Sequence, residues 1–285
     1  MRAETWGRPP RAAALVLAAA ALAACGGAAG EPDGGASADA RPGAPDARRG
    51  DTADGGAAPL RLMSFNIKHG AVSSLEEVAD VIRAEAPDIV ALQEVDLDRA
   101  RSGNVIQHER LGQLTGMASS FRDALQFDGD GQYGLAVLSR HPILGSDRLS
   151  LTSTGEQRIL AVWQIELPDG RVVQAGNTHL ATIAGDREVQ IGEVVADLTG
   201  RELALVMGDF NEAPGGPVHQ AATAELHDAW ADAGEGDGFT MPATEPTARI
   251  DYVFLGADWP AASSARVVDS EASDHRPVVV EVPLP

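Results

Sequence analysis

The sequence predicts an α/β protein of the α+β kind, on three observations. Short apolar runs typical of strands recur from Pro59 to the end of the chain. Stretches with helix capping and stop signals lie between some of these runs. Asn, Asp, Glu and His residues come directly after several of the runs, where strand ends from different parts of a chain can converge on one rim. The sequence therefore predicts a functional site on a rigid β scaffold.

The first predicted elements are a strand, a helix and a second strand. The stretch LRLMSFNI, residues 60–67, alternates apolar and polar residues and predicts a strand. Ser74 and Glu77 form a capping box that opens an amphipathic helix, which Pro87 stops. The run DIVALQE predicts a strand that ends at Glu94 and is covered on both faces, because it is continuously apolar.

The remaining elements are seven strands and a second helix. The strands are predicted at 133–139, 158–166 and 172–178 and in the runs LALVM, IDYVF, ARVVD and PVVVEV, and the helix at 186–199. The tripeptide PDG, whose residues are typical of turns, joins the strands at 158–166 and 172–178. The segments expected to be mainly loops are 96–132, 180–190 and 212–248.

The first 58 residues predict export and tethering. Three arginines precede the apolar stretch AAALVLAAAALAAC, which is too short to cross a bilayer and predicts a signal peptide over residues 1–24. Its last four residues, Leu22 to Cys25, resemble a bacterial lipobox, so Cys25 is expected to carry lipid. An ordinary secretory signal with an incidental cysteine is the alternative. Localisation at the bacterial cell envelope, on the outer membrane or the cell surface, is the expectation.

A flexible linker and one domain follow the predicted signal. Residues 25–58 consist almost entirely of Gly, Ala, Pro, Asp and other small or polar residues, which cannot bury enough apolar surface to offset the entropy of ordering. Residues 59–285 form the predicted domain. Cys25 is the only cysteine of the chain, so no intramolecular disulfide can form.

The charge of the predicted domain is strongly acidic. Residues 59–285 contain 16 Lys and Arg against 35 Asp and Glu, a net of −19 within a formal −20 for the whole chain. Such a charge repels polyanions and makes nucleic acid a less expected partner, although acidity also serves solubility. A local basic groove of Lys68, Arg101 and Arg276 is the feature that would favour nucleic acid.

Seven short motifs carry a family resemblance. In chain order they are SFNI, LQEV, YGLAVLSR, NTHL, GDFNEAP, RIDYVF and SDHRPV, spread over residues 60–282. They resemble the endonuclease/exonuclease/phosphatase superfamily, the metal-dependent phosphoesterases related to DNase I. The resemblance implies a four-layer αββα sandwich of two mixed β-sheets flanked by helices. It also implies an active site on the rim where the strand ends of the two sheets meet.

The same resemblance implies roles for individual residues. Glu94 corresponds to the principal metal ligand, with Asn66 and Asp274 on the metal side. Mg²⁺ is the expected cofactor, with Mn²⁺ as a substitute, since Mg²⁺ takes one or two carboxylates together with phosphate oxygen. The implied catalytic residues are His179, Asp209, Asn211, Asp251 and His275.

Within this implied catalytic set, Asp209 and Asn211 position or activate the attacking water and hold a phosphoryl oxygen. Asp251 orients His275 by a hydrogen bond to one ring nitrogen. His179 donates to the phosphate or the leaving group. Whether Asp209 or His275 removes the proton of the water, and whether one or two metals act, stays open.

Each of these residues alone also fits a structural role. Asn66 and Asn211 suit turns, Asp209 could cap a turn, and Asp251 could pair with Arg249. Glu94 fits a structural role least well, because an acid that follows a buried run needs a compensating partner. Outside the motifs, Arg158 and Arg101 are candidate contacts for the substrate phosphate, with surface ion pairs as their alternative.

The expected function is a membrane-anchored extracytoplasmic phosphoesterase. It is expected to act as a monomer on a phosphodiester or phosphomonoester, such as a lipid headgroup or another small phosphodiester. The alternatives are a secreted nuclease of the DNase I type and, less expected, a non-catalytic ligand-binding lipoprotein with the same fold. A fold alone does not name a substrate.

Overall fold

Two mixed β-sheets of six strands each form the centre of the computed structural model, which describes residues 58–285. The predicted signal peptide, Cys25 and all but the last residue of the predicted linker lie outside the described residues. The strands are β1 (Leu60–Asn66), β2 (Ile89–Leu97), β3 (Ala118–Gln126), β4 (Gln132–Ser139), β5 (Ile143–Leu151), β6 (Arg158–Glu166), β7 (Val172–His179), β8 (Ala204–Asp209), β9 (His227–Asp228), β10 (Asp251–Leu255), β11 (Ser264–Val267) and β12 (Val278–Val282).

The strand order places one parallel pair near the middle of each sheet. The first sheet has the order β11-β12-β1-β2-β4-β3, and only β1 and β2 run parallel. The second has the order β5-β6-β7-β8-β10-β9, and only β7 and β8 run parallel. The two parallel pairs therefore bring four strand ends to the rims of the two sheets.

Helices flank the sheets. They are α1 (Leu75–Glu85), α2 (Gln107–Thr115), α3 (Ala184–Leu198), α4 (Pro217–Thr223) and α5 (Ala229–Ala233). The predicted capping box opens α1, because Ser74 Oγ accepts from the backbone N–H of Glu77 at 3.2 Å and Glu77 Oε2 accepts from the backbone N–H of Ser74 at 2.9 Å. Within residues 58–285 no helix is both long and apolar enough to cross a lipid bilayer.

Three apolar clusters explain the layers. Leu62 of β1 and Trp163 of β6 belong to the cluster between the two sheets. Met63, next to Leu62, points to the opposite face and packs with Ile82 of α1. Val194 of α3 belongs to a third cluster on the outer face of the second sheet. The central strands are covered on both faces, and the predicted four-layer αββα sandwich is confirmed.

Three strands and three helices were not predicted from the sequence. The segment 96–132, expected to be mainly loop, contains α2 and β3, the segment 212–248 contains α4, β9 and α5, and β5 was also missed. The strands β3 and β5 lie at an edge of a sheet and are largely half-exposed or exposed, so they contain polar residues at positions where a central strand is apolar. Pairing with β4 and β6 stabilises them in place of a strong local pattern.

Candidate active site

The rim of the two sheets collects the predicted site residues. Asn66 ends β1, His179 ends β7 and Asp209 ends β8. The strand β10 runs antiparallel to β8, so it begins at the same rim, with Asp251 paired in register with Asp209. The strand β12 is likewise antiparallel to β1, and His275 lies just before it. The topology therefore brings together side chains that are up to 209 residues apart in the sequence.

Glu94 reaches the rim from within a strand. The predicted strand end at Glu94 was wrong, because β2 continues to Leu97. The pairing of β2 with β4 skips a residue between Leu92 and Val95, and Glu94 adopts a φ of 56° at this bulge. A positive φ is costly for a residue with a side chain, and bulges of this kind often redirect a side chain next to an active site. The bulge leaves the Glu94 carboxylate partly exposed.

Asn66 connects acids that belong to different sheets. Its Nδ2 donates to Glu94 Oε1 at 3.1 Å and to Asp209 Oδ2 at 3.2 Å. Its Oδ1, the atom that a metal ion would take, accepts from the backbone N–H of Lys68 at 3.1 Å. In this arrangement Asn66 bridges the two carboxylates, and its role as a metal ligand stays a prediction.

Asp251, His275 and Asp209 form a buried chain of titratable groups. His275 Nδ1 lies 2.9 Å from Asp251 Oδ2, and His275 Nε2 lies 3.7 Å from Asp209 Oδ2. The predicted orientation of His275 by Asp251 thus has the expected geometry. The alternative pairing with Arg249 is not found, because Arg249 Nη1 binds Asp228 Oδ2 at 2.8 Å.

Burial and neighbouring charges shift the pKa values of this chain. Burial raises the pKa of Asp209 to about 7, and the Asp251 carboxylate adds to the increase while His275 opposes it. Burial alone would lower the pKa of His275, but Asp251 and then Asp209 stabilise the imidazolium and raise it to about 10. At neutral pH His275 is therefore a cation.

His179 contacts Asp209, and Arg158 lines a small cavity together with His179. His179 Nε2 lies 3.4 Å from Asp209 Oδ2. Burial, followed by the charges of Arg158 and His275, holds the pKa of His179 well below 6.5, so this imidazole is neutral. Arg158 pairs with Glu156 at 3.1 Å, but its buried Nε has no partner among residues 58–285. A substrate oxygen would supply the hydrogen-bond acceptor that this buried donor lacks.

Asn211 supports the loop after β8. It has a φ of 53°, and its backbone N–H donates to Asp209 Oδ1 at 2.9 Å. Its side-chain Nδ2 donates to the backbone oxygen of Leu180 at 2.9 Å. The structure therefore places Asn211 next to Asp209 as a turn residue whose backbone orients that carboxylate, and its contact with a phosphoryl oxygen stays a prediction.

The other charged residues near β12 separate from this cluster. Asp274 Oδ2 accepts from Lys68 Nζ at 2.7 Å, so a lysine ammonium stands beside the third predicted metal ligand. Arg276 turns to Asp269 at 2.8 Å and donates from Nε to the backbone oxygen of Ala243 at 2.6 Å. Of Asp274, His275 and Arg276, only His275 enters the buried chain.

The residues at the rim fit a divalent cation. Glu94, Asn66 and Asp274 offer carboxylate and amide oxygens, the hard donors that Mg²⁺ prefers. Asp209, Asp251 and His275 also offer ligand atoms that lie within 4.8 Å of one another. In that second group His275 is hydrogen-bonded and protonated, which suits proton handling better than metal binding. Metal binding by Glu94, Asn66 and Asp274, on the Glu94 side of the rim, stays a prediction.

A buried amide pair behind the rim was missed by the sequence analysis. Gln93 Nε2 donates to Asn177 Oδ1 at 2.8 Å, across the interface between the sheets. Asn177 Nδ2 donates to the backbone oxygens of Leu92 and Ala136 at 2.9 and 3.0 Å. These bonds fix the strand segments that carry Glu94 and His179. The one available signal was a glutamine and an asparagine at the ends of apolar runs.

Comparisons with known proteins agree with this fold. A family model described as the Endonuclease/Exonuclease/phosphatase family matches residues 63–275. A solved structure of an endonuclease/exonuclease/phosphatase from Beutenbergia cavernae DSM 12333 is 27% identical, with a TM-score of 0.64, and the alignment covers 80% of this chain and 72% of the other. A comparison with curated proteins gives no match.

Two more distant structures share the fold. A family protein from Bacteroides thetaiotaomicron is 18% identical, with a TM-score of 0.66, and the alignment covers 78% of this chain and 97% of that one. ANGEL2, described as a 2′,3′-cyclic phosphatase in complex with adenosine-2′,3′-vanadate, is 12% identical, with a TM-score of 0.62 and coverage of 79% and 95%. At these identities the likeness concerns the fold alone.

Proposed function

The chain belongs to the endonuclease/exonuclease/phosphatase family, whose members hydrolyse phosphoric ester bonds, and from this premise we propose a Mg²⁺-dependent phosphoesterase that acts on a small or membrane-presented substrate. The observation that carries the proposal is the convergence on Asp209 Oδ2 of Asn66 Nδ2 at 3.2 Å, His179 Nε2 at 3.4 Å and His275 Nε2 at 3.7 Å. A carboxylate surrounded by donors from both sheets is suited to hold and deprotonate a water.

The proposed reaction is an in-line displacement at phosphorus, in which the water oxygen forms a new P–O bond as the P–O bond to the leaving group breaks. The leaving oxygen departs as an alcohol with a proton from solvent. Asp209 accepts the proton of the water, since a base with a pKa of about 7 is matched to neutral pH. His275, kept cationic by Asp251, donates to a phosphoryl oxygen from its second ring nitrogen. When bound on the Glu94 side, the cation supplies positive charge that neutralises charge developing on the phosphate. Arg158 Nε and the neutral His179 hold the remaining oxygens.

The charge distribution favours small substrates over duplex DNA. The net charge of −19 over residues 59–285 repels a long polyanion, whereas a small ester meets only the local field at the rim. All three cations of the basic groove considered from the sequence are already paired, Lys68 with Asp274, Arg101 with Asp96 and Arg276 with Asp269.

We expect Mg²⁺-dependent hydrolysis of a phospholipid headgroup or a bis-aryl phosphate to be faster than cleavage of plasmid DNA. The measurement is initial rates on phosphomonoesters, phospholipids, bis-aryl phosphates and plasmid DNA, each with Mg²⁺ and with a chelator, at low and physiological salt. Faster cutting of DNA at both salts would contradict the preference and indicate a secreted nuclease.

The proposed location is the bacterial cell envelope, with Cys25 as the lipid anchor. This rests on the lipobox-like sequence at 22–25 and on the long polar linker, which tethers the domain near lipid headgroups and raises their effective concentration. Cys25→Ser is expected to leave unprocessed precursor or a soluble product, while the natural chain partitions into detergent. Mass spectrometry of the mature N-terminus checks this, and a free thiol there would contradict it.

A further inference from the structure

A cleft of about 480 Å³ opens next to the metal side of the rim. Its lining includes His69, Ser74, Arg101, Gln107 and Arg110, from the loop after β1, the start of α1 and the segment before and within α2. His69 Nδ1 lies 3.7 Å from Glu94 Oε2, so the cleft adjoins the predicted metal side of the rim. The buried chain of Asp251, His275 and Asp209 forms no part of its lining.

Arg101 is held rigidly at this cleft. Its Nε and Nη2 donate to the two carboxylate oxygens of Asp96 at 2.8 and 2.7 Å. The Asp96 side chain is completely buried, and the Arg101 guanidinium lies over the ring of Tyr133 at 5.2 Å from its centroid. An arginine held in this way loses little conformational entropy when it binds a further group. Its Nη1 makes no hydrogen bond to any residue that the structure describes.

Two further side chains that carry nitrogen, His69 and Arg110, line the same cleft. His69 Nδ1 is buried and has no hydrogen-bond partner among residues 58–285. Arg110 pairs with Glu76 at 2.6 Å and stays about 43% exposed, so it remains accessible to a ligand. Glu76 is the only carboxylate in the lining of this cleft.

We propose that this cleft binds a second anionic group of the substrate, on an arm a few bonds away from the scissile phosphate. Arg101 would contact this group through Nη1, because the opposite edge of its guanidinium is occupied by a buried carboxylate. The inference rests on the proposed phosphoesterase function and narrows its substrate class to phosphoesters with a carboxylate or second phosphate on one arm. On a domain with a net charge of −19, such a local donor cluster selects among small anions.

The test uses phosphodiesters that share a p-nitrophenyl leaving group and differ in the charge of the second arm. The arms are ethyl (neutral), 2-carboxyethyl (anionic) and choline (cationic), and kcat/KM is measured with saturating Mg²⁺. We expect the anionic ester to exceed the neutral ester by about tenfold, the size of one good charge-assisted hydrogen bond. Arg101→Gln is expected to bring this ratio close to one, and Arg101→Lys to an intermediate value, because lysine keeps the charge but not the two-point contact with Asp96.

Arg171→Gln is the matched control. Arg171 is also paired with an aspartate, Asp169, but it lies in the turn between β6 and β7, at the end of these strands away from His179. This variant removes the same charge and should keep the natural ratio. A ratio near one in the natural protein, a ratio that Arg101→Gln leaves unchanged, or a preference for the choline ester would each overturn the proposal.

Binding separates this inference from the proposed function. The affinities of His275→Ala and of the double variant His275→Ala/Arg101→Gln for the 2-carboxyethyl and ethyl esters are measured by calorimetry. If no ester is hydrolysed by the natural protein but the anionic ester still binds about tenfold more tightly in an Arg101-dependent way, the phosphoesterase proposal fails and the anion site stands. Equal affinities for the two esters would overturn the anion site, whatever the turnover.

Discussion

Asp209→Asn is expected to lower kcat by about 10³, within the range that a positioned general base contributes. The amide is nearly the same size as the carboxylate but cannot accept the proton of the water. It keeps an oxygen that can accept from the backbone N–H of Asn211, now 2.9 Å from Asp209 Oδ1. The loss should therefore appear in kcat, with little change in KM, and steady-state kinetics on a bis-aryl phosphate measure it.

The fold is expected to survive this substitution. Burial and Asp251 raise the pKa of Asp209 to about 7, so the ionised carboxylate is disfavoured in the folded state and its removal relieves a repulsion. Thermal melting at pH 8 should show a midpoint no lower than that of the natural protein. Asp169→Asn, in the turn between β6 and β7 at the end of these strands away from His179, removes the same charge and should keep full activity. Near-natural turnover in folded Asp209→Asn would remove Asp209 from the role of base.

His275→Ala is expected to lower kcat by a factor on the order of 10² or more, because it removes a charged donor aimed at the phosphate. Asp251→Asn should give a smaller loss, since it retains the ring but weakens the 2.9 Å contact that orients and charges it. The two losses should not add in the double variant, because both substitutions act through one imidazole. Rates for the natural protein, the two single variants and the double variant complete this double-mutant cycle.

These two substitutions need a control for loss of folding. Both side chains are buried, so thermal melting must show that each variant is folded under the assay conditions. Additive losses in the double variant would mean that Asp251 does not act through His275. Turnover close to that of the natural protein in folded His275→Ala would exclude the imidazole from the reaction.

The positions of the rim residues could be predicted because they follow apolar runs. Asn66, His179 and Asp209 end central strands, and such strands are readable from continuous apolar sequence. Their convergence was expected from the family resemblance, and the two parallel pairs with antiparallel neighbours give its physical cause.

The conformation around Glu94 could not be predicted in the same way. The local sequence LQEVDL continues the strand pattern, and nothing in it marks the bulge, which depends on pairing with β4 some 40 residues later. The pair of Arg101 with the buried Asp96 was also beyond local reasoning. From the sequence, Arg101 is expected to contact phosphate or to form a surface ion pair. The structure shows an ion pair whose acid lies in the interior.

The edge strands and the buried amide pair could not be predicted from the sequence, and the physical reason is the same for both. The strand β5 contains Ser, Asp and Arg at exposed positions, and its stability comes from β6 rather than from its own pattern. Gln93 and Asn177 look like ordinary polar residues until the sheets face each other and their side chains meet at 2.8 Å. Contacts between distant segments decide both cases, and a single sequence does not display them.

The most direct test of the central claim is the metal dependence of phosphodiester hydrolysis at the Glu94 side of the rim. Initial rates on bis(p-nitrophenyl) phosphate are measured with Mg²⁺, with excess chelator, and with Mg²⁺ restored, for the natural protein and for Glu94→Gln. We predict that the chelator abolishes turnover, that Mg²⁺ restores it, and that Glu94→Gln needs a higher Mg²⁺ concentration for half-maximal rate. Turnover that resists the chelator, or a Glu94→Gln variant with the natural Mg²⁺ requirement, would contradict the account.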